Sequence, residues 1–171
     1  MFNKHKSKIV TIAVYFLTFI FMDPSLSGGF TDFILKKQIS SDYNKQVECL
    51  AKNIYYESGN ESYEGKLAVA QVTLNRVNSG KFATDICSVV YQKNNGIHQF
   101  SWVGMNVSGI KDKYQWEESQ LIAKRALTEP YLHDIIARSN ALFYHAVYVT
   151  PGWNKAKVVT KIGNHIFYAS I

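Results

Sequence analysis

The stretch CLAKNIYYESGNESYEGKLAVAQVTLNRV, Cys49–Val77, decides the fold because it joins two helical patterns through a short break. Apolar residues of the first pattern recur at the spacing of one helical face: Val47, Leu50, Ala51, Ile54 and Tyr55. This periodicity predicts a helix that starts at about Ser41. Gly59 and Asn60, which both tolerate positive φ, are predicted to end it. The second pattern, at about Ser62–Asn78, is apolar nearly all round and predicts the central buried helix.

Glu57 lies at the margin of the first apolar face. At about 100° per residue it falls about 20° from Leu50 around the helix, so we expect its carboxylate to be half-buried. Removal from water disfavours the charged form of a carboxyl and raises its pKa, and such a group can act as a general acid near neutral pH. The plainer alternative is a partly exposed glutamate in the last turn of an amphipathic helix. The periodicity alone leaves both interpretations open.

The N-terminal region has the pattern of a secretory signal. Three lysines within the first eight residues precede the apolar run Ile9–Met22, and the small residues of SLSGG follow it. The run has 14 residues, whereas about 20 are needed to span a bilayer. We therefore predict that residues 1–29 are a signal peptide cleaved near Ser27–Gly29, with an uncleaved signal anchor as the alternative. Residues 30–40 are predicted to be a tether, and residues 41–171 to form one domain.

The charge of the chain favours an envelope location. The net charge is +6 for the whole sequence, and removal of residues 1–27 takes away three lysines and one aspartate, which leaves +4. A basic, exported protein suits a polyanionic surface, in the periplasm, in the cell envelope or outside the cell. The basic residues are scattered and form no dense stripe, so nucleic acid is not a predicted partner. Membrane contact is predicted only through the N-terminal segment.

The cysteines and histidines do not have the spacing of a metal site. Cys49 and Cys87 are the two cysteines. In an oxidising compartment such a pair usually forms a disulfide, and two buried free thiols are the alternative if the protein is not exported. The pair has no Cys-x-x-Cys spacing, and His98, His145 and His165 lack the spacing of a zinc site. Neither a metal nor another cofactor is predicted.

The rest of the chain predicts more helix and a small late sheet. DICSVVYQ indicates a short buried helix or turn, and NNGIHQFSW contains a turn at Asn95-Gly96. A third amphipathic helix is predicted at about Asp112–Thr128, before Pro130. The segments ALFYHAVYV and NHIFYAS alternate like strands and are joined by a loop that contains Pro151, Gly152 and Trp153. The predicted fold class is therefore α+β, and mostly α.

Five segments of the chain carry a family resemblance. In order they are AKNIYYESGNESYEGKLAVAQVTLNRVNSGKF, ICSVVYQ, QFSW, FYHA and KIGNHIFY. Together they resemble the SleB/CwlJ-type cell wall hydrolase family, the spore cortex-lytic enzymes and their relatives in bacteria and phages. The resemblance covers about Val47–Tyr168. It implies a lysozyme-like, lytic transglycosylase-like single domain that acts on peptidoglycan glycan strands, so that residues 41–171 would be the catalytic domain.

The resemblance also implies which residues form the site. The family's active-site pattern, Y-x-E-A-R-G-E, falls on Tyr55–Glu61, which makes Glu57 the catalytic acid and matches Glu61 to a second glutamate. For Glu61 a second catalytic carboxylate and a helix-capping residue both stay open. The substrate-binding residues implied by the resemblance are Tyr55, Gln99, Phe100, Ser101, Trp102, Tyr144 and His145. Aromatic rings can stack on sugar faces, although core packing explains them equally well.

The chain departs from the family pattern in two places. Ser58–Asn60 stands where the family has Ala-Arg-Gly, so this loop does not supply the role of that arginine. His98 and Gly104 stand where many exported relatives have an additional cysteine pair around QFSW. Cys49 and Cys87 match the family's other cysteine pair, which favours a disulfide between them.

The resemblance favours a mechanism with one acid. A lytic transglycosylase needs one carboxyl and leaves 1,6-anhydro-muramoyl ends. A two-carboxylate muramidase needs a second carboxyl at about 5 Å if it retains configuration or at about 6.5–9.5 Å if it inverts. An inactive peptidoglycan-binding module and a nonenzymatic envelope protein are the other classes. The presence of Glu57 where the family has its catalytic acid favours an enzyme.

Overall fold

The structure of the protein, a computed structural model, describes residues 24–129, 131–152 and 156–169. Its helices are α1 (Pro24–Ser58), α2 (Tyr63–Asn78), α3 (Ile86–Val90), α4 (Lys113–Ala126) and α5 (Asp134–Arg138), with a 3-10 helix at Ser101–Gly104. Its strands are β1 (Lys93–Asn94), β2 (Ile97–His98), β3 (Ala141–Ala146), β4 (Lys157–Ile162) and β5 (His165–Ala169). The α+β, mostly α fold class is therefore confirmed. The predicted apolar signal run, Pro130 and Trp153 lie outside the described residues.

The helix α1 is present from Pro24, the first residue that the structure describes, so the predicted start at Ser41 is wrong. Residues 31–40, which belong to the predicted tether, are helical with exposed side chains. No proline or glycine occurs between residues 30 and 58, and good helix formers such as leucine, lysine and glutamine extend a helix without an apolar face. A search for hydrophobic periodicity cannot detect such a segment, because a fully exposed helix has no buried face.

The chain divides into two compact units, Met1–Tyr43 and Asn44–Ile171. The second unit contains the described segments that match the five family blocks. Within the residues that the structure describes, no helix is both long and apolar enough to cross a membrane. The division into signal segment, tether and catalytic domain stays a prediction.

The break between α1 and α2 depends on close steric contacts at Gly59 and not on a positive φ. Neither Gly59 nor Asn60 has a positive φ, so that part of the prediction is wrong. A Cβ on Gly59 would lie 2.5 Å from the carbonyl oxygen of Tyr55 and 2.7 Å from Gln115 Oε1, which only a glycine avoids. The Ser62 side chain then caps α2, since it accepts a hydrogen bond at 3.3 Å from a backbone amide of the first turn.

The helix α2 is buried along most of its length, as its apolar pattern predicted. One side, which includes Leu67 and Ala70, packs in a core with residues of α1, α3 and α4. The opposite side, which includes Val69, packs in a second core with Phe167 of β5. Because α2 contacts both cores, it fixes the end of α1 and the sheet on its two sides.

The main sheet has the strand order β3-β5-β4, and both pairs are antiparallel. The two strands predicted at the late segments are present as β3 and β5. Strand β4 lies in the predicted loop between them and was not predicted, because this edge strand has no buried residue and therefore no apolar alternation. The turn predicted at Asn95-Gly96 is the tip of the β1–β2 hairpin, and both residues have positive φ. The third amphipathic helix is present as α4.

A disulfide joins Cys49 of α1 to Cys87 of α3, as the family resemblance implied. The two residues are 38 positions apart in the sequence. Within the described residues no cysteine is free. The bridge therefore connects the short helix α3 to the C-terminal half of α1.

Replacement of both cysteines by serine is expected to lower the free energy of unfolding by about 3–4 kcal/mol, because closure of a loop of this length restricts the unfolded chain. Urea unfolding followed by circular dichroism measures the difference in a buffer that contains no reductant and no added oxidant. The same titration in a thiol reductant is the control, and there the difference should disappear. Equal stability of the two proteins before reduction would contradict the prediction.

Candidate active site

Glu57 lies in the last turn of α1 and is half-buried, as its place in the periodic pattern predicted. Tyr144 of β3 donates a hydrogen bond from its hydroxyl to Glu57 Oε2 at 3.0 Å. Among the described residues, Tyr144 is the one hydrogen-bond partner of this carboxyl. The bond therefore connects the end of α1 to the sheet.

The surroundings of Glu57 favour its protonated form. Burial raises the pKa of the Glu57 carboxyl above its ordinary value of 4.5, and the hydrogen bond from Tyr144 and the charge of Arg76 act in the opposite direction. Burial, followed by the charge of Glu57, also raises the pKa of Tyr144 well above its ordinary value of 10.0. Tyr144 is therefore a neutral donor near pH 7, and Glu57 retains its proton to a higher pH than an exposed glutamate.

Arg76 of α2 is a buried cation beside this pair and was not among the predicted site residues. Its Nε donates a hydrogen bond to the carbonyl of Leu142 at 2.8 Å. Its guanidinium lies 4.8 Å from the ring centroid of Phe100 and 5.0 Å from that of Phe82. Burial lowers the pKa of Arg76, and Tyr144 and Glu57 oppose the shift. A lone arginine in a helix that is apolar nearly all round was the available signal, since buried charges need a partner.

Arg76 is not fully satisfied by hydrogen bonds. Its Nη1 is buried and has no hydrogen-bond partner among the described residues. The aromatic rings around the guanidinium compensate in part, because a cation over a ring face is attracted to it. The remaining attraction is to the Glu57–Tyr144 pair, so Arg76 adds a fixed positive potential behind the carboxyl.

Glu61 does not cap α2; Ser62 does. The capping interpretation of Glu61 is therefore wrong. The Glu61 carboxylate instead accepts two hydrogen bonds from Asn164, which lies in the turn between β4 and β5. The backbone N–H of Asn164 donates to Oε2 at 3.1 Å, and its side-chain Nδ2 donates to Oε1 at 3.0 Å. Glu61 thus connects the chain before α2 to the β4–β5 hairpin.

His165 lies between Glu61 and Tyr144. Its Nδ1 is 3.9 Å from Glu61 Oε1, and its ring meets the ring of Tyr144 edge to face, with centroids 5.2 Å apart. Burial lowers the pKa of His165, and the neighbouring His145 acts in the same direction, whereas Glu61 opposes the shift. His165 is consequently neutral near pH 7, and its contact with Tyr144 is one of packing.

The QFSW block contributes more to the core than to an open surface. Phe100 is 2% exposed and packs against Arg76. Trp102 is 8% exposed, stacks on Tyr56 and donates from Nε1 to Asn53 Oδ1 at 3.0 Å. Both rings therefore have contacts in the core, and a substrate contact by either stays a prediction. Gln99 and Ser101 are part-exposed and exposed respectively, and their predicted role stays a prediction.

The other predicted binding residues have structural contacts of their own. The Tyr55 hydroxyl accepts hydrogen bonds at 3.0 Å from the backbone amides of Lys111 and Asp112, which ties α1 to the start of α4. His145 Nδ1 lies 2.8 Å from the Ala146 carbonyl oxygen, and its Nε2 lies 2.8 Å from the Tyr168 hydroxyl. Tyr55 and His145 are therefore oriented by the fold, while a substrate contact by either remains a prediction.

An open groove of about 460 Å³ lies elsewhere on the domain. Its lining residues are Tyr63, Tyr114, Gln115, Glu117, Glu118 and Leu121. Glu57 is not one of them. The groove is connected to the loop after α1 through the hydrogen bond from Gln115 Nε2 to Asn60 Oδ1 at 3.2 Å. The acid and this groove are thus on neighbouring elements but do not coincide.

Comparisons with known proteins agree on the family. The family model described as Cell Wall Hydrolase matches residues 60–168. A spore cortex-lytic enzyme of Oceanobacillus iheyensis is 28% identical over 123 residues, which are 71% of this chain and 40% of that protein. A spore cortex-lytic enzyme of Bacillus subtilis is 39% identical over 49 residues, which are 29% of this chain and 16% of that protein. The chain thus spans less than half of the length of these curated relatives.

The solved catalytic domain of the Bacillus cereus SleB protein has a similar structure, with a TM-score of 0.58 and 28% identity; the match covers 73% of this chain and 90% of that one. Fold and site together define a mostly helical α+β domain in which the half-buried Glu57 carboxyl is hydrogen-bonded to a residue of a small sheet. The chain belongs to the cell wall hydrolase family. The family match begins at residue 60 and does not include Glu57, so a role for Glu57 stays a prediction.

Replacement of Glu57 by glutamine is expected to raise the free energy of unfolding relative to the wild type, and this difference is expected to grow as the pH rises. A carboxyl whose folded-state pKa lies above 4.5 stabilises the folded state fully below that pH, and this stabilisation is lost as the pH rises through the folded-state pKa. Glutamine does not ionise and loses nothing. Urea unfolding of both proteins across this pH range measures the difference, and a difference that shrinks with rising pH would show that the pKa is not raised.

Replacement of Tyr144 by phenylalanine is expected to raise the pKa of Glu57 further, because the hydroxyl donates its hydrogen bond preferentially to the charged carboxylate. A pH titration of the Glu57 carboxyl carbon by NMR measures the change. Tyr148→Phe is the matched control, since Tyr148 is 85% exposed and its hydroxyl should not affect Glu57. An unchanged or lowered pKa in Tyr144→Phe would be inconsistent with the geometry described.

Proposed function

We propose that this protein degrades peptidoglycan by cleaving the glycosidic bond between N-acetylmuramic acid and N-acetylglucosamine as a lytic transglycosylase. The observation that carries the proposal is the half-buried Glu57 carboxyl, whose pKa is raised by burial and which has one hydroxyl donor. Family membership and the names of the relatives, spore cortex-lytic enzymes, support peptidoglycan as the substrate class. The substrate and activity of the whole protein are part of this proposal.

Glu57 begins the reaction as a general acid. Its proton moves to the glycosidic oxygen, and the bond from that oxygen to C1 of the muramoyl residue breaks. The departing N-acetylglucosamine keeps the proton as its new hydroxyl. Protonation by a carboxyl with a raised pKa is effective near neutral pH, because a larger fraction of the enzyme carries the proton at the start of the reaction.

Glu57 completes the reaction as a general base. Its carboxylate takes the proton of the muramoyl C6 hydroxyl while that oxygen forms a bond to C1, which gives the 1,6-anhydro product and returns Glu57 to its protonated state. No water is consumed. Tyr144 and Arg76 support the intermediate carboxylate, since the hydrogen bond and the nearby positive charge both favour the ionised form.

A single carboxyl is consistent with the surroundings of Glu61. Both of its oxygens accept hydrogen bonds from Asn164. A second catalytic carboxylate has to activate water or attack C1, and a carboxylate already bound at both oxygens is less suited to either role. This contact favours the transglycosylase over the two-carboxylate muramidase.

The proposal includes export of the protein. The secretory pattern of residues 1–29, the basic net charge and the Cys49–Cys87 disulfide support a location in the periplasm, in the cell envelope or outside the cell. The partner is then the glycan strand of the cell wall. Contact with a membrane is proposed only through the N-terminal segment, either as a signal peptide before cleavage or as a retained anchor.

Replacement of Glu57 by glutamine is expected to lower the release of soluble fragments from purified sacculi by about 10²–10⁴-fold, because the general acid is lost while the shape is kept. Mass spectrometry of the wild-type products should show fragments lighter by one water than the products of hydrolysis. Glu64→Gln is the control, since Glu64 is exposed, contacts His133 and has no part in the proposed reaction.

The outcomes of this experiment separate the alternatives. Products of full hydrolytic mass would replace the transglycosylase with a muramidase. Binding to sacculi without product release would indicate an inactive peptidoglycan-binding module. Full activity in Glu57→Gln would remove Glu57 from the reaction and with it the proposed mechanism.

A further inference from the structure

Glu61 is hydrogen-bonded to the turn between β4 and β5. Its two carboxylate oxygens accept hydrogen bonds from the backbone and side-chain nitrogens of Asn164. The residue before it, Gly163, has a φ of +54°, and a Cβ there would overlap Glu61 Oε2. The turn is therefore shaped to admit the Glu61 carboxylate.

The same turn is connected to the donor of Glu57. The carbonyl oxygen of Asn164 accepts a hydrogen bond from the Val147 amide at the end of β3, at 2.8 Å. The next residue, His165, pairs with Ala146 in the sheet and places its ring edge to face on Tyr144. A displacement of Asn164 would therefore also displace the end of β3 and the Tyr144 ring, which carries the donor hydroxyl.

We propose that Glu61 is a positioning residue, which holds the β4–β5 turn so that His165 and β3 keep the Tyr144 hydroxyl on Glu57. This inference rests on the proposed function for its effect on the reaction, although the contact itself does not. Glu61 then acts through Tyr144 and touches neither substrate nor reacting atoms. Glu61, which the family pattern matches as a second glutamate, thus orients other residues of the site in this chain.

A charge effect and a positioning effect of Glu61 have opposite signs. Arg76 of α2 acts on both Glu57 and Tyr144. His165 of β5 contacts the Tyr144 ring, and its own charge state is affected by Glu61 and by His145 of β3. Loss of a negative charge near Glu57 would lower the pKa of Glu57, because the carboxylate form would meet less repulsion. Loss of the Tyr144 hydrogen bond would raise it. The direction of the change therefore tells the two effects apart.

Three variants of the full chain test the proposal. Glu61→Ala removes both acceptors of Asn164. Glu61→Gln removes the charge but retains an acceptor for the Asn164 amide, and its own amide can donate to Asn164 Oδ1 once that side chain turns over. Glu64→Ala is the matched control, because Glu64 is a nearby glutamate that is 69% exposed and contacts His133 instead of the hairpin.

In Glu61→Ala the NMR titration should show a higher pKa for Glu57, in the direction of Tyr144→Phe, and kcat on sacculi should fall about tenfold or more. In Glu61→Gln both quantities should stay within about twofold of wild type. Rescue by the uncharged, hydrogen-bonding side chain is what a positioning role requires. Glu64→Ala should change neither quantity.

Other results would overturn the proposal. Activity in Glu61→Gln as low as in Glu57→Gln would make Glu61 a catalytic carboxylate. An equal fall of the Glu57 pKa in both Glu61 variants would show a charge effect. A loss of stability in Glu61→Ala with an unchanged Glu57 pKa would show a structural role without positioning.

The test does not depend on one variant or on activity. If Glu61→Ala does not fold, Asn164→Ala removes one of the two hydrogen bonds and should raise the Glu57 pKa by a smaller amount; an unchanged value in the folded variant would overturn the proposal. If the wild-type chain releases no product from sacculi, the proposed function fails, and the pKa comparison still decides the task of Glu61.

Discussion

The hydrogen bond from Tyr144 to Glu57 joins two segments that are far apart in the sequence, the end of α1 and strand β3. It acts on a carboxyl whose burial favours the protonated form, and it favours the ionised form. In the proposed reaction Glu57 gives up a proton and takes one back, and it would need both influences, because a carboxyl fixed in either state would perform half of the cycle. The other features of the site depend on keeping this pair in contact.

The central helix α2 keeps the pair together. One of its sides packs with α1 and the other with the sheet, so α2 fixes the end of α1 and strand β3 relative to each other and allows the direct contact between Tyr144 and Glu57. The same helix supplies Arg76, whose guanidinium is held by the Leu142 carbonyl and by the rings of Phe82 and Phe100. Phe100 thus acts on the site through Arg76, although the family resemblance suggested direct contact with the substrate.

Local sequence patterns predicted the parts of the fold that have a buried face. The burial of α2, the amphipathic helix α4, strands β3 and β5, and the half-buried position of Glu57 all leave an apolar period in the chain. Residues 31–40 of α1, which are exposed, and the edge strand β4 leave none and were missed. The Cys49–Cys87 disulfide followed from family resemblance, since two cysteines in a sequence do not state their pairing.

The sequence by itself determined that Glu57 would stand at the rim of an apolar face, because one helix fixes that relation through its own geometry. Only the tertiary structure decided what surrounds the Glu57 carboxyl, namely the hydroxyl of Tyr144 and the charge of Arg76. It also decided that Glu61 accepts its hydrogen bonds from the β4–β5 hairpin. Those partners come from other elements, and their contacts depend on how α2 and the sheet pack. Periodicity describes which side of an element is buried, whereas packing decides which residues meet there.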